Sequence, residues 1–185
     1  MIYPITAYGD PVLRKETENI EQNSPELQQL IADMFETMYH AEGVGIAAPQ
    51  IGKPIRLFVV DTTPMTEDDE EEEDLKGAFI NPEILEYYGD EWNMEEGCLS
   101  IPGIHETVSR PEFIKINYLD ENFEEHIRVF EGYAARVIQH EYDHLEGELF
   151  IDHVGALRKR IIKSKLMNIT KGSVHTKYRM SLPKR

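Results

Sequence analysis

Three segments of the chain are predicted to form helices, and the first and last of them carry hydrophobic residues at helical spacing. The first opens with Ser24 and Pro25, an N-cap followed by proline at the first helical position, and ends before Gly43. A second helix is predicted over residues 132–146, and a third over about residues 156–168. The apolar positions of the first are Leu27, Leu30, Ile31, Met34, Phe35 and Met38, and those of the third are Leu157, Ile161, Ile162, Leu166 and Ile169. Each helix is expected to pack one face on a core.

Between the first and second helices, apolar residues alternate or cluster in short runs typical of strands. The runs are residues 55–60, 78–80, 84–88, 106–108, 113–119 and 125–130, with a turn at 120–122. The pattern predicts an α+β fold in which short antiparallel strands pack around a central helix, with an N-terminal and a C-terminal helix.

Composition predicts one globular domain without disulfides. A chain of 185 residues is large enough for its own core. The single cysteine, Cys98, excludes an internal disulfide and fits a reducing cytoplasm. The first residues lack the pattern of a secretion signal, and no apolar run is long enough to span a membrane. We therefore expect a cytoplasmic protein with no membrane partner.

Charge is distributed unevenly around a net value of −16. All 35 acidic residues, but only nine of the 19 Lys and Arg, precede Ala156, whereas residues 156–185 hold ten basic residues and no acidic one. The acidic body should repel nucleic acid, so no sequence-specific nucleic-acid binding is expected. The basic tail either docks on a phosphate-rich surface or lies on its own acidic body, and charge alone favours the second interpretation.

Eight consecutive acidic residues, 67–74, interrupt the strand pattern. Like charges in a row repel one another and bury nothing, which predicts a mobile, solvated surface insertion. The stretch lacks the ligand spacing and the turn glycine of a calcium-binding loop.

The second predicted helix carries an H-E-x-x-H motif within Gln139-His140-Glu141-Tyr142-Asp143-His144. His140 and His144 are four residues apart, so both imidazoles leave the same face and can bind one metal ion. Glu141 is placed to act as general base toward a water that the metal activates. A catalytic site of this kind needs a third protein ligand and one open position.

The best candidate for the third ligand lies upstream, in Glu96-Gly97-Cys98-Leu99-Ser100. Carboxylates directly after His144 follow it too closely to reach the open side of the metal, and His153 is excluded less firmly. A thiolate is an excellent metal ligand, and the metal itself deprotonates it. The alternative for Cys98 is a buried, inert thiol.

A third segment, Gly43-Val44-Gly45-Ile46-Ala47-Ala48-Pro49-Gln50, follows the first predicted helix. Its small residues let the backbone run close to a strand or a ligand, although most G-x-G segments are turns. In this order, the three segments resemble the motifs G-x-G-x-A-A-x-Q, E-G-C-x-S and Q-H-E-x-D-H of bacterial-type peptide deformylases, which remove the formyl group from N-formylmethionyl chains. The resemblance extends from about residue 8 to residue 152, and the trio is far more specific than H-E-x-x-H alone.

The resemblance implies that Cys98, His140 and His144 hold one divalent metal ion and that Glu141 is the general acid and base. The Gln50 side chain and the Leu99 N–H would form the oxyanion hole. The implied metal is Fe²⁺ in the cell, with Zn²⁺, Ni²⁺ or Co²⁺ as alternatives, since sulfur and imidazole ligands suit all of them. The implied substrates are nascent N-formylmethionyl peptides.

The resemblance also implies where the substrate lies. Backbone groups of the glycine-rich segment and of Gly97 would pair with the peptide as with an added strand, and other residues would line a methionine pocket. Glu96 and Arg110 would form an ion pair that holds the cysteine loop, the alternative being an ordinary surface pair. Arg136 is expected to face solvent or substrate. The implied substrate-binding residues are Gly43, Val44, Gly45, Gly97, Tyr133 and Val137.

Residues 1–155 are accordingly expected to form the catalytic part, and 156–185 a basic helix and tail of the same domain. Docking of this tail near the ribosome is a hypothesis that its charge motivates. Two alternative functions remain. A peptidase of the H-E-x-x-H type would cut internal peptide bonds, but Cys98 and its loop argue against it. A metal-stabilised binding module would need a fourth protein ligand or a missing base, and Glu141 is present.

Overall fold

The computed structural model of the protein describes residues 1–69 and 71–183. Glu70 of the acidic stretch and the last two residues of the predicted tail lie outside the described residues. In chain order the elements are β1 (Ile5–Thr6), α1 (Pro25–His40), β2 (Gly45–Ala47), β3 (Leu57–Asp61), α2 (Thr63–Thr66), β4 (Lys76–Cys98), β5 (Ile101–Leu119), β6 (Glu125–Phe130), α3 (Gly132–Leu145), α4 (Ala156–Thr170) and β7 (Met180–Ser181), with 3₁₀ turns at Pro11–Arg14, Ala48–Ile51 and Phe150–His153. This is the predicted α+β fold.

Five strands form one antiparallel sheet in the order β2-β3-β4-β5-β6. Strands β4 and β5 have 23 and 19 residues, so each joins runs that the sequence pattern predicts as separate, shorter strands. The register shifts beside Asn81 and beside the Glu91–Pro111 pair, where bulges accommodate residues that would otherwise end a strand. The two strands are therefore longer than predicted.

Strand β3 is buried on both faces because helices cover the sheet from both sides. Phe58 and Val60 pack in the same cluster as α3, whereas Leu57 and Val59 pack in the cluster of α1. Two covered faces explain the continuous apolar run in the sequence. The central position of α3 places the H-E-x-x-H motif against the sheet.

Helix α1 begins as the sequence predicts. The Ser24 hydroxyl accepts a hydrogen bond from the Leu27 N–H at 3.1 Å, and Pro25 occupies the first turn. The helix ends at His40, three residues before Gly43. It buries Met34 and Met38 completely, so its apolar face is a packing surface.

Helix α4 packs on the body through Ile162, Leu166 and Ile169, while Leu157 and Ile161, which the sequence pattern assigns to the apolar face, are exposed. After α4 the chain turns back, and β7 pairs in parallel with β1. Among the described residues, no helix is both long and apolar enough to cross a membrane.

The described residues of the acidic stretch are mostly exposed, as expected for a solvated insertion, but the stretch also contacts the body of the protein at several points. The Thr66 hydroxyl donates to Asp74 at 2.6 Å, and Arg128 of β6 pairs with Glu73 at 2.7 Å. The Glu72 carboxylate accepts a hydrogen bond from the Tyr133 N–H at 2.8 Å. These partners lie on three separate elements and compensate part of the charge repulsion.

Candidate metal centre and active site

Cys98 and the two histidines of the H-E-x-x-H motif converge on one point. Cys98 is the last residue of β4, and the tight turn at Leu99 and Ser100 leads back into β5. Its Sγ lies 3.4 Å from Nε2 of His144, and potential ligand atoms of Cys98, His140 and His144 all lie within 4.8 Å of one another. One sulfur and two imidazole nitrogens are the donors that transition metals prefer. The three residues thus form a candidate metal centre.

Unsatisfied polar atoms concentrate at the same place. Among the described residues, only two buried side-chain nitrogen or oxygen atoms lack a hydrogen-bond partner, Oε2 of Glu141 and Nδ1 of His144. A buried polar atom without a partner costs free energy, so such atoms are rare outside functional sites. The donor set and the unpaired carboxylate oxygen together fit a site for a metal ion and a polar ligand.

The buried carboxylate of Glu96 supports this centre from behind. It accepts hydrogen bonds from Nδ1 of His140 at 2.9 Å and from the Arg110 guanidinium at 2.7 and 3.0 Å. Burial alone would raise the pKa of Glu96, but these bonds lower it to about 2. The predicted Glu96–Arg110 pair is therefore buried and holds a candidate ligand, and it is not an ordinary surface pair.

Arg136 belongs to the same network, which corrects the expectation that it faces solvent; because it also lines the cavity at this centre, the alternative that it faces the substrate stays a prediction. It is only 2% exposed, and it donates to Glu96 and to the carbonyls of Trp92 and Val108. Arg136 and His140 are one helical turn apart, so their spacing alone could have placed both against the same carboxylate. Arg110 also donates to Asp143 at 2.9 Å, which ties the network to α3 a second time.

Gln50 is held so that its amide nitrogen faces Cys98 and the turn at Leu99 and Ser100, here called the cysteine turn. Its Oε1 accepts a hydrogen bond from the Ala47 N–H at 2.9 Å, which determines the orientation of the amide. Nε2 then lies 3.4 Å from Sγ of Cys98 and 3.3 Å from Oγ of Ser100. Gln50 is 1% exposed, so the amide is a fixed donor next to the candidate metal centre.

Glu141 is buried beside Gly45, and burial raises its pKa to about 7. A Cβ atom on Gly45 would lie 2.6 Å from Oε1 of Glu141, so glycine is required for the carboxylate to occupy this position. Burial also lowers the pKa of His144 to about 3, which keeps the imidazole in the neutral form that binds metals.

A cavity of about 660 Å³ opens onto this centre. Among its lining residues are all six predicted substrate-binding residues, together with Gln50, Leu99 and Glu141. The glycine-rich segment forms the edge strand β2, one side of which is unpaired within the five-stranded sheet. Sequence reasoning missed the contribution of residues 175–178, which line the cavity from the far end of the chain. No local pattern marks them.

Comparisons with known proteins agree on one family. The family described as Polypeptide deformylase matches residues 2–160. The peptide deformylase of Christiangramia forsetii is 52% identical over an alignment of 190 residues, gaps included. The alignment covers 99% of this chain and 97% of that protein. The peptide deformylase structure from Thermotoga maritima has a TM-score of 0.76 at 43% identity and covers 84% of this chain and 99% of its own. The peptide deformylase structure from Legionella pneumophila has a TM-score of 0.81 at 39% identity, and the match covers 94% of this chain and 98% of that one.

Proposed function

Because this chain belongs to the polypeptide deformylase family, we propose specific roles for its residues in the reaction of that family. The protein is a metal-dependent hydrolase that removes the formyl group from the N-terminal formylmethionine of newly made polypeptides and releases formate. One observation above all supports the assignment of roles. Cys98, His140 and His144 converge on one point, and Glu141, whose Oε2 has no partner among the described residues, lines the cavity that opens onto this point.

Cys98, His140 and His144 are the proposed ligands of one divalent metal ion, which is Fe²⁺ in the cell. When bound, the metal lowers the pKa of water and polarises the formyl carbonyl. A thiolate with two imidazoles also suits Zn²⁺, Ni²⁺ and Co²⁺, and the family resemblance favours iron among them. The test is elemental analysis after anaerobic purification, paired with formate release by iron-loaded and zinc-loaded protein. A fully active, iron-free zinc protein would contradict the assignment of iron.

Glu141 is the proposed general base and general acid. Its carboxylate takes a proton from the attacking water and returns it to the departing amine of methionine. Two features support this role: Oε2 has no hydrogen-bond partner among the described residues, and the side chain is buried next to a candidate metal ligand. The backbone of Gly45 leaves the space that the carboxylate occupies.

Gln50 and Leu99 are the proposed oxyanion donors. As water adds to the formyl carbon, negative charge develops on the formyl oxygen, and a fixed donor at that position can contribute about 3 kcal/mol. The Gln50 amide is held by Ala47, and Leu99 lies in the turn next to Cys98. Both residues line the cavity.

The peptide is proposed to bind along β2, with its methionine side chain in the apolar part of the cavity. One edge of β2 pairs with no other strand in the described part of the chain and suits an added strand, to which Val44, Gly45 and Gly97 would offer backbone groups. Tyr133 and Val137, together with Gly43, are the proposed lining of the methionine pocket. An apolar, adaptable pocket suits a thioether side chain.

Replacement of Glu141 by glutamine tests the residue roles. Glu141→Gln keeps the shape of the side chain but removes the base, so formate release from a formyl-methionyl peptide should fall about 10²–10⁴-fold with unchanged metal content. Glu148→Gln, at an exposed position just after the motif, is the matched control. Full turnover by the Glu141 variant would disprove the mechanism. Cleavage between residues of the peptide would instead favour the peptidase alternative.

Docking of the basic residues 156–185 near the ribosome is a further part of the proposal, and the variants below test the contribution of α4. The exposed basic residues of α4 support it, as do the exposed side chains of Leu157 and Ile161. The double variant Lys159→Glu/Lys163→Glu should weaken salt-dependent co-sedimentation with ribosomes, whereas the matched Lys15→Glu/Lys53→Glu variant should not. Equal binding by both variants would refute docking through α4.

We propose that residues 156–185 belong to the catalytic domain, which the packing of α4 and the pairing of β7 with β1 support.

The proposed location of the reaction is the cytoplasm, because the lone Cys98 fits a reducing compartment. Fractionation of cells that carry the tagged protein tests the location.

A further inference from the structure

The chain that follows α4 returns along the rim of the active-site cavity. Residues 173–178, here called the C-terminal strap, lie outside the stretch 2–160 that the family matches. Beyond the strap, the N–H of Ile5 donates to the Arg179 carbonyl and that of Ala7 to the Ser181 carbonyl, each at 2.8 Å. These bonds anchor the strap, and residues 175–178 form one wall of the cavity.

The strap reaches the cysteine turn through Tyr178. Its hydroxyl donates a hydrogen bond to the Leu99 carbonyl at 2.7 Å. The ring of Tyr178 and the side chain of Leu99 both pack against the core cluster that includes Met38. The second strap contact, between Lys177 and Glu42, is an exposed ion pair and contributes little.

The hydrogen bond of Tyr178 is one of two that hold consecutive carbonyls of the turn. The Tyr8 N–H donates to the Ser100 carbonyl at 2.9 Å. This carbonyl directly follows the carbonyl of Leu99, which accepts the hydrogen bond from Tyr178. The N–H and the carbonyl of Leu99 belong to adjacent peptide units, so fixing one restricts the other. Such restraint matters because an oxyanion donor acts only when it is held within about 0.5 Å of its productive position.

We propose that Tyr178 is a positioning residue, which fixes the Leu99 N–H toward the developing oxyanion by holding the Leu99 carbonyl. The inference rests on the proposed role of Leu99 as an oxyanion donor. Tyr178 lies beyond residues 2–160, which the family matches, and would take part in catalysis in addition to lining the cavity. A residue that only lines the cavity would affect substrate binding and therefore KM. A residue that positions an oxyanion donor affects the chemical step and therefore kcat.

Replacement of Tyr178 by phenylalanine separates these two roles because it keeps the ring and removes only the hydroxyl. With the full chain loaded with Co²⁺, we expect kcat to fall about tenfold, KM to change less than about twofold, and metal content to stay constant. Tyr88→Phe is the matched control, because the Tyr88 ring is exposed and stacks on Phe113 in the β4–β5 hairpin. This control should leave kcat and KM unchanged.

Hydrogen exchange supplies a readout that does not depend on turnover. In Tyr178→Phe, amides of residues 97–101 should exchange faster than in the parent protein, and those of α1 should not. An unchanged kcat, a higher KM at constant kcat, or a loss of activity that follows a loss of metal would each overturn the inference.

The same assay separates failure of this inference from failure of the proposed function. Gln50→Ala and Glu141→Gln are measured alongside Tyr178→Phe. If both lose activity while Tyr178→Phe does not, the proposed residue roles stand and only the role of Tyr178 is refuted. Full turnover by the Gln50 and Glu141 variants would instead refute the proposed residue roles, on which the inference about Tyr178 rests.

Discussion

Nδ1 of His140 lies 2.9 Å from Oε1 of Glu96, and this hydrogen bond determines which ring nitrogen faces Cys98 and His144. The pKa of Glu96 is about 2, so the carboxylate is ionised and accepts the proton that His140 carries on Nδ1. Nε2 therefore faces the candidate ligands and is the nitrogen that would bind a metal ion. A partner that orients a ligating imidazole in this way also increases its basicity.

Replacement of Glu96 by glutamine should therefore weaken metal binding. We expect a 10- to 100-fold loss of affinity, roughly the effect of removing a group that orients a metal ligand. The substitution also leaves Arg110 and Arg136 without their buried carboxylate, which should reduce the free energy of unfolding by about 3 kcal/mol or more. Competition with a chelator measures the first effect and thermal unfolding the second. An affinity for Zn²⁺ equal to that of the exposed control Glu91→Gln would contradict the orienting role.

Replacement of Gly45 by alanine should disable the base without removing the metal. The added Cβ would lie 2.6 Å from Oε1 of Glu141, so the carboxylate must move. Because misplacement of a reacting group by 1 Å costs on the order of 100-fold, kcat should fall by about that factor at constant metal content. Gly77→Ala is the matched control, since a Cβ there meets nothing within 4 Å. Similar kcat values for both variants would show that Glu141 tolerates displacement.

Local patterns were sufficient to predict the parts of the site that lie within one element. The four-residue spacing of His140 and His144 required only the helix that their surroundings indicate. The chemistry of a thiolate makes Cys98 a candidate ligand, and the family resemblance supplies the role of Gln50. Nothing in their own segments shows that the turn after β2 and the end of β4 come together. The residue roles remain proposals that the variants described here test.

Contacts between distant segments could not be predicted from the sequence. Tyr178 and Leu99 are 79 positions apart, and Glu72 and Tyr133 are 61 apart. In the sequence, Tyr178 lies in a polar, basic tail and Glu72 in a run of eight acidic residues, so both segments resemble solvated ones. Only tertiary packing selects one residue from each for a specific hydrogen bond.

Glu72 should stabilise the helix that carries the metal ligands. Its carboxylate accepts the Tyr133 N–H in the first turn of α3, where Glu131 provides no side-chain cap and where a negative charge is favourable. Gly132 makes room for it, since a Cβ there would lie 2.5 Å from the carboxylate. Glu72→Gln should lower the free energy of unfolding by about 0.5–1 kcal/mol, and denaturant unfolding measures this. The exposed neighbour Glu71→Gln serves as the control, and equal stability of both variants would contradict a specific cap.

The ion pair between Glu106 and Arg158 should make the attachment of α4 dependent on pH. Arg158 donates two hydrogen bonds to the buried carboxylate, at 2.7 and 2.8 Å, and these lower the pKa of Glu106 below its ordinary value. The stabilisation is therefore complete above the pKa of about 4.3 in the unfolded chain, and it is lost as the pH falls through the lower pKa of the folded state. Thermal unfolding should show Glu106→Gln melting below the parent protein at about pH 7, with the difference vanishing toward acidic pH. The exposed control Glu121→Gln should match the parent throughout, and a Tm difference for Glu106→Gln that persists in acid would exclude the ion pair as its cause.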